Sequence, residues 1–479
     1  MARLAFLLSL FCIYSCSTST ILIDDTQASS HTTDSSIVTA TVIDSIYFLG
    51  NWSGDLKFDG YHLPMGIDWQ EDAIYLDNPA QGITNFKADT FYIEEGAIRA
   101  FFKEQPFQFK KIDNDKMSMD FFDVDTTRSV ILHKDKPLAA QERPQTPQEN
   151  VEYHIDSITF VNEVNDITLA GSLTTPLDKT PSTFAIMLTG SGPQDRDETI
   201  FHHKPFAVIA DKLTRSGYGV LRYDDRGVGL SKGSQLNSTS FDFAQDAAAA
   251  YHLIKKEYPA SSVGFIGHSE GGMIAQIADS LVNGAAFHIY LAGPGISTVD
   301  LMIKQNERYL KDIMTEKGVH TYITQLRPIF EMIGSSDELS KKQDAINKQA
   351  KRLYNSLDSE DATKVAPSDL AFAMSMSSLV YNKWMTFFFG YEPKRYLTQI
   401  TSPILALNGS EDFQVVPANL EAIKRDAIKA DVTTIELEGL NHLFQNCKRC
   451  TLPEYNMLTE TFSEDAMETM VEWLTSKGL

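Results

Sequence analysis

The sequence predicts an α/β protein: a mainly parallel sheet covered by helices, with a helical insertion and a small all-β domain in front. Three observations predict this. From Val151 onward, short apolar runs alternate with helical patterns, the rhythm of a sheet buried on both faces. Gly293 to Lys394 breaks that rhythm and reads helical throughout. Before Lys134 the chain alternates apolar and polar positions between turn signals, which reads as short antiparallel strands.

The bulk numbers fit. A chain of 479 residues is long enough for two or three domains. Its 43% hydrophobic and 22% charged residues are ordinary for a globular protein and exclude wholesale disorder. The formal net charge of −22 and the lack of a basic run exclude nucleic acid as a partner, because phosphate backbones are held by clustered Lys and Arg.

The N-terminus reads as an export signal over residues 1–16. Met1-Ala2-Arg3 is a short positive region, and Leu4 to Tyr14 is uncharged and apolar, too short to span a bilayer. Ile13-Tyr14-Ser15-Cys16 resembles a bacterial lipobox, in which the signal is cut before the cysteine and its thiol is acylated. That implies a lipid on Cys16 and a place in the bacterial cell envelope, lipid-anchored to a membrane or periplasmic. A plain cleaved signal with an incidental cysteine is the alternative. Residues 17–36 are rich in Ser, Thr and Asp without an apolar period and read as a flexible tether.

Residues 37–134 form the expected β-rich domain. Leu56-Lys57-Phe58 precedes Asp59-Gly60, Thr90 to Ile93 precedes Glu95-Gly96, and Phe107-Gln108-Phe109, Met119-Asp120-Phe121 and Val130-Ile131-Leu132 continue the alternation. Leu49-Gly50-Asn51-Trp52-Ser53-Gly54 is similar to the first strand of lipocalin-like modules, which makes a ligand-holding barrel conceivable, although so short and Phe-rich a segment is expected to fill its own core. Residues 135–150 carry three prolines and little apolar content, and read as a linker.

The catalytic domain is expected over 151–479. Tyr153 to Val161 and Ile167 to Thr174 read as strands, then Phe184 to Leu188, a helix over Phe206 to Thr214, and the strand Tyr218 to Tyr223. A helix over Phe241 to Tyr258, the strand Val263 to Ile266, another helix and the strand Phe287 to Leu291 follow. The insertion, about 294–395, reads as a cap, with Met374, Met376, Trp384, Met385 and Phe387 to Phe389 toward its end. Those side chains suit either an apolar acyl pocket or the insertion's own core. Strands return at Pro403 to Leu407 and Thr433 to Leu437.

The chemistry starts from two G-x-S-x-G frames, Gly267-His268-Ser269-Glu270-Gly271 and Gly229-Leu230-Ser231-Lys232-Gly233. A nucleophile elbow needs a strand running into the serine and a helix leaving it. Ser269 has the apolar run Val263 to Ile266 before it and the helical spacing Met273, Ile274, Ile277 after it. Ser231 follows a Gly-rich loop and leads into Gln235 to Ser238, which shows no helical period.

A serine hydroxyl needs a base, and the base needs an acid to fix its tautomer. In such a sheet the chain order is Ser, then acid, then His. After Ser269 only His288, His320 and His442 occur. His288 lies inside an apolar strand and His320 in the insertion, whereas His442 stands in a loop after the last predicted strand. The strand at Leu405 to Leu407 ends in Asn408-Gly409-Ser410-Glu411-Asp412, where Glu411 and Asp412 compete as the acid. The oxyanion hole takes one N–H from Glu270, at a helix N-terminus. The other comes from the Gly190-Ser191-Gly192-Pro193 loop, from Ser191 or alternatively Gly192.

Cys447 and Cys450 are expected to form a small disulfide in an oxidising envelope or to stay free thiols. A redox motif lacks its strand–helix context, and a zinc site would need two more ligands. No metal and no cofactor are expected.

These residues resemble the α/β-hydrolase superfamily over Val151 to Leu479. More narrowly, Thr189 to Asp197, Arg222 to Gly229 and Leu440 to Gln445 are similar to a bacterial subfamily of carboxylesterases and serine-aminopeptidase-like proteins, often with a lipocalin-like β module in front. The resemblance implies a triad of Ser269, Asp412 and His442. It also implies that Asp224, Asp225 and Arg226 brace the loop beside the site rather than react. The expected activity is hydrolysis of small-molecule carboxylic esters of short or medium acyl chain through an acyl-enzyme. A serine exopeptidase or acylaminopeptidase is the second reading, in which Glu198 or Glu331 would bind the substrate's ammonium. A surface binding protein with a degenerate hydrolase domain is the third. A membrane is expected as partner only through the lipid on Cys16.

Overall fold

The computed structural model describes residues 47–479 except 59–60, 80–82, 95–96, 104, 123–126 and 149. The proposed signal, Cys16 and the tether over 17–36 lie outside the described residues. Among the described residues two units emerge: Gln145–Cys450 with Glu460–Leu479, and the chain up to Pro144 with Thr451–Thr459.

The N-terminal unit is a nine-stranded antiparallel sheet: β1 (Gly50–Phe58), β2 (Tyr61–Trp69), β3 (Ile74–Asn78), β4 (Ile83–Lys87), β5 (Thr90–Glu94), β6 (Ala97–Phe102), β7 (Gln105–Lys111), β8 (Lys116–Phe122) and β9 (Thr127–Lys134). Its order is β4-β3-β2-β1-β9-β8-β7-β6-β5, a meander whose ends meet through the β1–β9 ladder. The alternation read in the sequence sends Trp52, Phe109, Met117, Met119 and Leu132 inward, where all are buried. Trp69 packs edge-on against Phe109 with ring centroids 5.3 Å apart. Aromatic rings and methionines are thus buried on its inner face.

One segment departs from the expected 151–479 boundary. Thr451–Thr459, including the helix Leu452–Met457, belongs to the β unit. There Tyr61 Oη donates to the Glu454 carboxylate, and Arg143 donates to Leu458 O at 3.0 Å and Asn456 O at 2.9 Å. Long-range bonds of this kind leave no local pattern. The Pro-rich stretch is likewise tied down, since Gln145 Oε1 accepts from Thr461 N at 2.6 Å.

The larger unit holds β10 (Tyr153–Asn162), β11 (Ile167–Pro176), β12 (Thr183–Leu188), β13 (Gly219–Tyr223), β14 (Ser262–His268), β15 (His288–Leu291), β16 (Ile404–Gly409) and β17 (Val432–Leu437). They form one sheet in the order β10-β11-β13-β12-β14-β15-β16-β17. β10 and β11 are antiparallel, and from β13 to β17 every pairing is parallel. The chain runs from β12 outward to β13, then returns to β14 on the other side of β12. That reversal between β12 and β14 is the place where such sheets open a crevice at their strand ends. Ile186, Leu221, Phe265 and Leu405 are fully buried, as near-continuous apolar strands should be.

Between β15 and β16 the chain is helical: Thr298–Leu310, Glu316–Gly334, Leu339–Ser356, Ser359–Val365, Asp369–Ser378, Lys383–Phe389 and Pro393–Leu397. Met376, Met385, Phe388 and Phe389 are buried, and Phe389 stacks on Phe330 at 4.3 Å. The apolar residues that suggested an acyl pocket are largely the insertion's own core. Among the described residues no helix is long and apolar enough to cross a membrane.

Candidate active site

Ser269 stands where β14 ends and the helix Glu270–Leu281 begins. Its φ of 52° and ψ of −118° lie outside the ordinary regions for a side-chain-bearing residue, a strain that persists only when the surroundings fix it. They do so here. Ser269 N donates to Leu291 O at 2.8 Å and its carbonyl accepts from Gly272 N at 3.0 Å. The flanking glycines are sterically required, because a Cβ on Gly267 would fall 2.2 Å from Gly271 O and one on Gly271 would fall 2.0 Å from Leu188 O.

His442 follows β17 and is buried. Its Nδ1 meets Asp412 Oδ2 at 2.7 Å. Asp412, in the turn after β16, is itself held: Oδ1 accepts from Gln414 N at 2.8 Å and Val415 N at 2.9 Å, and Asn408 Nδ2 reaches Oδ2 at 3.3 Å. Glu411, the competing acid, is exposed. Ser269 and His442 line one narrow cleft, and its enclosed volume of about 20 Å³ is room for about one water molecule.

The other two histidines after Ser269 do not line this cleft. His288, on β15, pairs with Asp279 of the helix Glu270–Leu281 at 2.9 Å, and His320 is exposed on a helix of the insertion.

In the loop after β12, Gly190 and Ser191 line the cleft, whereas Gly192 does not. The N–H of Gly190 is committed to Glu198 Oε1 at 2.6 Å. Glu270 opens its helix, in the turn whose N–H groups have no intrahelical acceptor. Its carboxyl accepts from Ser240 Oγ at 2.6 Å and from Trp384 Nε1 of the insertion at 2.7 Å. Burial pushes its pKa up, against the hydrogen bonds from Ser240 and Trp384.

Asp225 accepts from Gln194 N at 3.0 Å and Thr189 Oγ1 at 2.9 Å, so it ties down both sides of the Gly190–Ser191 turn. Burial raises its carboxyl well above the usual range. Asp224 holds Arg196 through Nε at 2.9 Å and Nη2 at 2.7 Å. Arg226 faces away, gripping Asp246 with Nε at 2.7 Å and Nη2 at 2.8 Å. The sulfurs of Cys447 and Cys450 are bonded.

The sequence reading passed over one residue inside its own motif. His268 is buried, with Nδ1 2.9 Å from Glu198 Oε1 and Nε2 3.0 Å from the carbonyl of His442. Its ring lies 4.8 Å from that of His442. Burial opposes a charge on it, but the Glu198 carboxylate and the bonds to Glu198 and His442 O outweigh burial, and the ring's pKa is raised. Glu198 therefore meets His268 and Gly190, while Glu331 stands on an exposed helix face near Arg327. A histidine beside the nucleophile with an acid in the opposing loop was the available signal.

Comparison with known proteins gives three kinds of likeness. A family model described as serine aminopeptidase, S33, matches residues 200–326, a span that includes Ser269 and ends before Asp412 and His442. Esterase EstD of Thermotoga maritima is 23% identical over 326 residues, which is 67% of this chain and 69% of that protein. Among solved structures, the Pyrococcus furiosus esterase Pf2001 aligns at 16% identity and a TM-score of 0.43, over 70% of this chain and 97% of its own. The proline iminopeptidase of Mycobacterium smegmatis aligns at 18% identity and a TM-score of 0.40, over 67% and 98%.

Proposed function

We propose that this chain, an α/β-hydrolase of the esterase and serine-aminopeptidase-like family and an esterase-type serine hydrolase, is an exported carboxylesterase working through Ser269, His442 and Asp412. The observation that carries the reading is the 2.7 Å contact between His442 Nδ1 and Asp412 Oδ2, with His442 and Ser269 lining one cleft. In this mechanism Asp412 holds the imidazole in the tautomer that leaves Nε2 free to accept a proton. Ser269 Oγ attacks the ester carbonyl as His442 takes its proton, and His442 then gives that proton to the departing alcohol. Water, activated by the same histidine, hydrolyses the acyl-enzyme. The N–H groups of Glu270 and Ser191 receive the developing oxyanion, the second because Gly190 N is already engaged. Asp225 keeps that turn in place through Gln194 and Thr189. The helical insertion acts as the cap, joined to the elbow by the Trp384–Glu270 bond.

A serine exopeptidase would use the same triad, and the presence of the Glu198 carboxylate in the cleft favours it. That carboxylate already receives Gly190 N and His268, which makes it a poor site for a substrate ammonium. The deciding assay compares p-nitrophenyl acetate, butyrate and octanoate with aminoacyl p-nitroanilides. Ester turnover should exceed anilide cleavage by at least about 100-fold in kcat/KM, or about 2.7 kcal/mol of transition-state binding, and fall with acyl length in so narrow a cleft. Comparable anilide cleavage would replace the esterase with the peptidase.

Export through a lipidated Cys16 belongs to the same reading, supported by the charged, apolar and Cys-terminated order of residues 1–16. Cells expressing the full chain should incorporate labelled palmitate into it, and Cys16→Ser should abolish that incorporation. Equal labelling of the two would end the lipoprotein reading.

A further inference from the structure

The cleft over Ser269 is lined by a residue whose amide oxygen has no partner among the described residues. Gln305 lies on the insertion helix Thr298–Leu310, is 2% exposed and lines the cleft with Ser269 and His442. Among the described residues its Oε1 has no hydrogen-bond partner. Leaving a buried acceptor unpaired costs about 1–3 kcal/mol. Nearby buried amides are served: Asn306 Nδ2 donates to Met302 O at 2.8 Å, and Gln276 pairs at both ends, with Pro294 O at 2.9 Å and Tyr391 Oη at 2.7 Å. Gln305 Oε1 lacks such a partner, and the residue lines the same cleft as the reacting serine.

Most of the other side chains lining the cleft are polar. Gln194, Glu198, His268 and Gln414 line the cleft, against only Ile200 and Val415 as apolar side chains. The buried methionines and phenylalanines of the insertion do not reach it. An acyl chain alone would bury Gln305 Oε1 without satisfying it, and an unpaired polar group is the strongest basis on which a site rejects a ligand that lacks the matching group.

We propose that Gln305 is a specificity-determining residue, and that the substrates are esters bearing a hydroxyl close to the scissile bond, on the acyl or the alcohol side, which pairs with the Gln305 amide. A hydroxyl donates and accepts, so it suits an amide and the mixed donors and acceptors around it. The inference rests on the esterase reading and sharpens it from esters in general to hydroxylated ones, of which polyol and hydroxyacyl esters are the simplest.

The test uses two matched pairs with the full chain in a pH-stat: propyl acetate against 2,3-dihydroxypropyl acetate, and methyl butyrate against methyl 3-hydroxybutyrate. The wild type should prefer the hydroxylated member of at least one pair by about tenfold in kcat/KM, which is one hydrogen bond's worth of binding. Gln305→Leu and Gln305→Met should bring that ratio close to one. Both variants should also melt at a higher temperature than the wild type, because each removes an unpaired buried amide. A role confined to packing would lower the melting temperature and leave the ratio intact, and that result overturns the proposal. So does a wild-type ratio near one in both pairs while propyl acetate and methyl butyrate are hydrolysed. Failure to hydrolyse any of the four esters would instead remove the esterase reading, and this inference with it.

Discussion

Ser269 and Ser231 stand in the same five-residue frame, one at the end of β14 and the other in the turn after β13. Ser269 is held at φ 52° between a strand and a helix, beside a base paired to a buried acid. Ser231 is hydrogen-bonded at both ends: its Oγ donates to Asp224 O at 2.6 Å and accepts from Ala170 N at 2.9 Å. The glycines differ as much as the serines. Gly267 and Gly271 let the strand, elbow and helix come together, whereas a Cβ on Gly229 would fall 2.4 Å from Asp224 Oδ2, so that glycine accommodates a brace. One frame leaves a hydroxyl available for chemistry, and the other uses its hydroxyl to close a turn. The pattern of residues is identical, and the surrounding elements decide which result follows.

The largest expected effect breaks the equivalence outright. Ser269→Ala should lower kcat by at least about 10⁴-fold, the scale on which losing the nucleophile removes the triad's contribution, with its melting temperature close to that of the wild type. Ser231→Ala should do the reverse. It leaves Ala170 N and Asp224 O without their buried partner, at a cost of about 1–3 kcal/mol, while a fluorophosphonate probe still labels Ser269. Labelling that survives Ser269→Ala, or disappears in a folded Ser231→Ala protein, would mean the two frames have been assigned the wrong way round.

What could be read in advance follows the same division between local and long-range determinants. Ser269 was legible because Val263 to Ile266 and the Met273–Ile277 spacing carry strand and helix periods in the sequence itself. His442 was legible by elimination, since His288 and His320 fall in elements where a base does not belong. Glu411 and Asp412, adjacent in one turn, could not be separated by any period; burial and the backbone N–H groups of Gln414 and Val415 distinguish them. The excursion of Thr451–Thr459 into the β unit was invisible, because a short helix reads the same whichever domain it joins. The polarity of the cleft was hidden for a related reason. Gln305 occupies an ordinary helical position, and only the fold reveals that its Oε1 has no partner among the described residues.

The residue before each serine offers a finer test, because His268 is buried in a built setting while Leu230 is 73% exposed. Both neighbours of the His268 ring are acceptors: the Glu198 carboxylate at Nδ1 and the His442 carbonyl at Nε2. A neutral imidazole has one N–H and can satisfy only one of them; the doubly protonated ring satisfies both. A cationic His268 paired with Glu198 would thus hold the backbone of the catalytic histidine from below, as a positioning residue rather than a reacting one. His268→Gln should cost about 10–100-fold in kcat, the scale of a small misplacement of a catalytic group, and about 3 kcal/mol of stability from breaking a buried pair. The pH dependence follows from the raised pKa of the ring. A group protonated more tightly in the folded state contributes its full stability below its ordinary unfolded value, near pH 6.5, and loses it as pH rises through the folded value. The gap in melting temperature between wild type and His268→Gln should therefore be widest near pH 6 and narrow steadily toward alkaline pH, while Leu230→Gln shows no such trend. A gap that stays constant from pH 6 to 9 would mean that His268 is neutral in the folded protein.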